Sequence, residues 1–260
     1  SMKLPLPKAV IQNAIIRPDT LSTLEVGSLN AQISNFSGTG SFTFQDVPYE
    51  KSIPFYFGSK KEYISFLENG AELFKGSFTY SNNTISPKFR VPKDISFNEG
   101  FAKIKFNIVL DNGDEAVGVA SNLTLVPGLP SEDIDGPIIT FLTSSGRVLK
   151  NSDHIKKGEE IKIKISDPNG INIANKVGHE MILYDEIQSK EYLISDKFKY
   201  DINSLTSGSY TFEPDMNFEQ VSIKLKVWDN ANNPSESRIS LDVSSSDVFE
   251  LRSVYNYPNP

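Results

Sequence analysis

Residues 221–228 read Val-Ser-Ile-Lys-Leu-Lys-Val-Trp. Val221, Ile223, Leu225 and Val227 share one parity, and Ser222, Lys224 and Lys226 share the other. Successive side chains leave a strand on opposite faces, so a period of two predicts a strand with one buried and one solvated face. The pattern recurs outward from this stretch in both directions. Ile161, Ile163 and Ile165 alternate with Lys162 and Lys164; Ile104, Phe106 and Ile108 alternate with Lys103, Lys105 and Asn107. Ile239, Leu241 and Val243 repeat it near the end. The pairs Phe42/Phe44 and Phe55/Phe57 read as further core faces. Sheets hydrophobic on one side only must pack face to face, which predicts antiparallel β-sandwiches.

The turns agree. Asn112-Gly113 and Asn82-Asn83 each separate two strand-like runs, and asparagine and glycine accept the positive φ that tight hairpins need. Asp167-Pro168-Asn169-Gly170 and Asp229-Asn230-Ala231-Asn232-Asn233-Pro234 are further turns. Residues 60–69 carry Tyr63, Phe66 and Leu67 at helical spacing before Gly70, but their β surroundings favour a strand or short turn.

Between residues 127 and 137 stand three prolines and two glycines, Pro127-Gly128-Leu129-Pro130 and Gly136-Pro137, which a sheet does not continue through. The expected organisation is all-β, with two tandem immunoglobulin-like β-sandwich domains over 1–130 and 131–246. Residues 247–260 are expected to link to a C-terminal sorting domain beyond the chain. Ser1-Met2 reads as a cloning remnant, with natural sequence expected upstream.

The 260 residues carry a net charge of −7 and 38% apolar residues, enough for a core in each half and without the basic face of a nucleic-acid binder. No apolar run is long enough for a transmembrane helix. Cysteine is absent, which excludes disulfides, thiolate metal ligation and a cysteine nucleophile within these residues.

His154 and His179 stand without a second histidine nearby, and both read as structural; no catalytic residue is assigned. Carboxylates cluster at Asp111–Glu115 and at Ser131–Asp135. Asp111, Asp114, Asp133 and Asp135 are the candidate oxygen ligands for Ca²⁺, the alternative being solvated turn residues. The oxygen-rich run from Asp229 to Asn233 reads as serving its turn. Trp228 shares the parity of the lysines, so it should leave the core face, capping the sandwich end or joining a contact surface.

Five strings resemble one family, in order along the chain. They are Phe89–Gly100, which begins Phe-Arg-Val-Pro-Lys-Asp-Ile; Asp135-Gly136-Pro137 with Ile139 and Phe141; Asp167–Asn172 with Val177-Gly178-His179-Glu180; Lys226–Asn233; and Tyr255–Pro260, which ends Asn-Tyr-Pro-Asn-Pro. Together they are similar to the region that follows the catalytic domain in gingipain-like cysteine peptidases that act as sortases of the Bacteroidetes type IX secretion system. The resemblance implies a whole protein that cleaves C-terminal sorting signals from exported cargo and passes the new carboxyl end to a lipopolysaccharide amine. It implies a cysteine–histidine pair upstream of this chain, so no catalytic residue is carried over. His179 falls on the family's Gly-His string, which is not the catalytic histidine. The implied partners are the upstream peptidase domain, an outer-membrane shuttle protein and secreted cargo. The implied location is the cell surface, after export. The alternative is a surface adhesin or glycan-binding module with no peptidase parent.

Overall fold

The computed structural model describes residues 9–33, 37–110, 113–215 and 217–244. Tyr255–Pro260, the segment 247–260 and Asp111 lie outside the described residues. The chain is all-β, and among the described residues the one helical element is a 3-10 turn at Ser195–Lys197.

The first half is a sandwich of two sheets. The larger runs in the order Ala9–Ile11, Glu115–Val126, Ala102–Leu110, Gly38–Gln45, Glu72–Tyr80, with Thr20–Ser22 also on Glu115–Val126. The smaller runs Lys88–Arg90, Val26–Gln32, Ile15–Arg17, with Thr84–Ile85 also on Val26–Gln32. Ile104, Phe106 and Ile108 are buried as their parity requires, as are Phe42 and Phe44. Phe44 meets Phe89 of the facing sheet with ring centroids 4.5 Å apart. Phe44, Phe74, Phe78 and Phe89 are all fully buried, each worth about 1.5–3 kcal/mol on removal from water. Asn122 joins the sheets where a strand would: its side chain accepts from Ile16 N at 2.8 Å and donates to Ile16 O at 2.9 Å.

The second half repeats the plan. One sheet runs Ile138–Thr143, Ile161–Ser166, Ser207–Phe212, Lys199–Tyr200; the other runs His154–Lys156, Pro234–Ser244, Gln220–Trp228, Ile182–Asp185, Lys190–Leu193. Ile161, Ile163 and Ile165 from one sheet and Val221, Ile223, Leu225 and Val227 from the other form its core. Among the described residues no β-ladder joins a strand before Val126 to one after Ile138.

A third feature belongs to neither sandwich. Among the described residues Tyr49–Phe57 and Lys60–Glu68 pair only with each other, as a two-stranded ribbon closed by Gly58-Ser59. The Lys60–Glu68 strand agrees with the favoured β reading there. Phe55 and Phe57, however, are not core residues: they are 39% and 80% exposed, because among the described residues no second sheet covers the ribbon.

Candidate functional site

The two halves meet at a polar joint. The loop after Lys88–Arg90 projects Asp94 from the first half, and its carboxylate is received by three side chains of the second. Nδ1 of His179 donates to both oxygens, at 3.0 and 2.8 Å. Asn172 Nδ2 donates to Oδ2 and Asn232 Nδ2 to Oδ1, each at 2.8 Å. Beside them, Lys93 N donates to Asn230 O at 2.8 Å, and Lys93 Nζ to Ala231 O at 3.0 Å. Hydrogen bonds to an ionised group are worth about 1.5–3 kcal/mol each, so a half-hidden carboxylate with several donors is a strong fastening. Two further contacts widen the joint. Phe74 stacks on Tyr200 with centroids 4.4 Å apart. Asn203 bonds Thr79 through both ends of its amide, accepting from Thr79 N at 3.1 Å and donating to Thr79 Oγ1 at 2.9 Å. Burial raises the Tyr200 hydroxyl's pKa, and that hydroxyl both accepts from Ile171 N and donates to Ile171 O.

Trp228 leaves the core face and is half-buried in this joint. Its ring lies 4.5 Å from that of His179, with Lys226 Nζ 4.9 Å from its centroid. Its indole nitrogen is buried without a hydrogen-bond partner among the described residues. His179 thus sits between a carboxylate and an indole, and among the described residues no hydroxyl is hydrogen-bonded to it. His154 lies elsewhere, exposed on an edge strand parallel to Pro234–Ser244.

Next to the joint, the linker carboxylate of Asp133 comes together with Asp167 and Asp229, ligand oxygens within 4.8 Å of one another. Asp133 is held by Asn169 Nδ2 at 2.5 Å and, through its carbonyl, by Asn233 Nδ2 at 3.0 Å. Burial pushes the Asp167 carboxyl up to about 6; a bond from Asn169 N opposes this, Asp229 and Asp133 add to it, and Arg90 draws it down. Burial likewise raises Asp229, against hydrogen bonds from Asn233. Oxygen-only donors at this separation are the set a hard divalent cation takes, so these three residues could hold Ca²⁺. Of the four sequence candidates only Asp133 is in the trio. Asp135 is exposed and donates its N–H to Asp133 Oδ1 at 3.1 Å, and Asp114 lies at the hairpin after Leu110. Asp94, Asp167 and Asp229 were missed as site residues. The two turns, Asp167–Gly170 and Asp229–Asn233, carried the signal, since both close the same end of the second sandwich.

The ribbon is the other candidate. Tyr56 and Phe57 at its tip are 72% and 80% exposed, and Tyr63, Ile64 and Leu67 are exposed on its second strand. A ladder of ion pairs and hydroxyls steadies it: Lys51–Glu68 at 2.7 Å, Lys60–Glu62 at 2.6 Å and Ser52–Ser65 at 2.6 Å. Exposed apolar residues in a continuous group mark a contact surface.

No family model matches the chain, and none of the curated proteins searched matches it. Among solved structures, the crystal structure of dimeric latent PorU from Porphyromonas gingivalis matches with a TM-score of 0.53 and 21% identity, over 95% of this chain and 25% of that one. The chain therefore spans a quarter of PorU's length, and in fold it is a PorU-like region. The sporulation control protein Spo0M from Bacillus subtilis matches at TM-score 0.25 and 9% identity, over 88% of this chain and 89% of that one. Murine CEACAM1b matches at TM-score 0.23 and 9% identity, over 90% and 99%. Likenesses that slight carry no argument.

Proposed function

We propose that this chain is a non-catalytic supporting region of a type IX secretion sortase of the gingipain-like kind, exported to the cell surface. There it supports cleavage of C-terminal sorting signals and attachment of cargo. The observation that carries this reading is a convergence. Three strings that resemble the family, spread from Phe89 to Asn233, meet at one joint, and a fourth packs beside it, in a chain with the fold of a PorU region. Asp94 comes from the first string, Asn172 and His179 from the third, and Asn232 and Trp228 from the fourth. The second contributes Gly136, whose backbone lies so close to the Pro234 carbonyl that any side chain would overlap it.

Within that role the joint braces the sandwiches and the ribbon docks. In a two-residue hairpin the closing pair, Phe57 and Lys60, is hydrogen-bonded, so Pro54 and Tyr63 form a non-bonded pair. The N–H that proline lacks is therefore missing from the outer edge of Tyr49–Phe57. The outer edge of Lys60–Glu68 keeps a full row of donors and acceptors, ready to add to a partner's sheet. The PorU structure is of a dimer, and a second copy of the parent protein is the partner proposed for this ribbon. Ca²⁺ at Asp133, Asp167 and Asp229, tying the linker to the second sandwich, belongs to the same proposal.

In-frame removal of residues 9–244 from the chromosomal gene tests the supporting role. Cargo retaining its sorting signal is expected; normal processing overturns the reading. Turnover of sorting-signal peptides by this chain alone overturns its non-catalytic part. Specific glycan binding that depends on Trp228 would favour an adhesin instead.

A further inference from the structure

We propose that Asp94 is a positioning residue that fastens the root of the ribbon to the second sandwich, so that the second half of the chain sets where the ribbon points. The ribbon leaves and re-enters the first sandwich at Asp46, which is buried. Asp46 N donates to Ala71 O at 2.9 Å, joining the two ends of the ribbon. The backbone of Gly70 lies against the Asp46 carbonyl, too close for any side chain. The Asp46 carboxylate accepts from Val47 N at 2.8 Å through Oδ1 and from Ser96 N at 2.6 Å through Oδ2. Gly100 also approaches Val47.

Ser96 follows Asp94 by two residues. An extended chain spans at most about 7 Å in two residues, so the His179–Asn172–Asn232 socket and the Asp46 root cannot separate without breaking one set of bonds. The loop is a strap: residues 93 and 94 are held by the second sandwich, and residue 96 is held by the ribbon root. Asp46 thus ties the two together: its backbone N–H bonds Ala71 at the ribbon's return, and its buried carboxylate bonds Val47 N at the ribbon's exit and Ser96 N in the strap. The functional weight of this coupling rests on the docking reading above; the coupling itself does not.

Hydrogen exchange on the intact chain tests it. Asp94→Ala is expected to speed exchange at the Val47 and Ser96 amides about tenfold, leaving Ile104 and Ile108 in the first core protected as before. Asp94→Asn, which keeps one accepting oxygen, should fall between. His179→Ala removes a donor from the opposite side of the joint, and stands in if the Asp94 variants fail to fold. It should speed the same two amides in a half of the chain it does not belong to. Unchanged Val47 and Ser96 exchange overturns the coupling. So does loss of protection at Ile104 and Ile108 together with them, because Asp94 would then hold the whole first fold. Failure of the ribbon to mediate association would sink the docking reading and leave these exchange rates untouched.

Discussion

Two strand pairs of similar length behave in opposite ways. Gln220–Trp228 with Pro234–Ser244 lies inside the second sandwich and buries every second residue from Val221 to Val227. Tyr49–Phe57 with Lys60–Glu68 is as long, as well paired and richer in aromatics, yet nearly all of it is exposed. The difference lies in how the apolar residues are distributed. In the first pair one parity is apolar and the other polar. In the ribbon Ile53, Phe55 and Phe57 face one way and Pro54 and Tyr56 the other, so no single covering sheet could bury them. A lone two-stranded ribbon is marginal in water, which is why a partner is proposed for its apolar faces.

The largest expected effect breaks the buried pair. Ile223→Ala should lower unfolding free energy by about 2–5 kcal/mol, whereas Phe57→Ser should change it by no more than about 0.5 kcal/mol. Chemical denaturation measures both. A comparable cost for Phe57→Ser would mean that the ribbon is packed after all.

A smaller effect comes from Asp167. Its folded-state pKa, about 6, lies above the ordinary 3.8, so the fold prefers the protonated form. That preference favours folding at low pH, fades as pH rises from about 4 to 6, and becomes a standing cost of the charged form above 6. Asp167→Asn should therefore raise Tm at pH 7.5 by about 2–4 °C and change nothing near pH 4. Excess Ca²⁺ should raise Tm of the unaltered chain at pH 7.5 and not that of Asp167→Asn. Thermal melts at both pH values, with and without chelator, read all of these outcomes.

The smallest effect on stability sharpens the comparison of edges. Pro54→Val restores an N–H to the outer edge of Tyr49–Phe57 and should shift unfolding by less than about 0.5 kcal/mol. Sedimentation should show more self-association, since a second complete edge becomes available. An unchanged sedimentation profile would mean that this edge is already covered.

Much of the fold was legible because alternation is local. The parity of Ile104, Phe106 and Ile108 and that of Val221 to Val227 predicted the buried faces. Asn82 and Asn83 both take positive φ, as a tight hairpin there needs. Phe55 and Phe57 were misread because an i, i+2 aromatic pair looks the same whether or not a second sheet lies over it. Trp228 was legible as leaving the core, but that it would lie against His179 was not. The candidate site was legible as separate strings and not as one place. Asp94, His179 and Asn232 are far apart in sequence, and no spacing rule links a loop of one sandwich to two turns of another.

The sequence by itself determined the alternating strands, their buried parity outside the ribbon and most of the tight turns, because each depends on neighbours one to four residues away. Only the tertiary structure decided that a pair of strands would stand outside both sandwiches, that three aspartates from the linker and two turns would meet, and that Asp94 would be gripped from the far half. Those outcomes depend on which surfaces pack together, and packing is settled by the balance of buried area and satisfied polar groups over the whole chain.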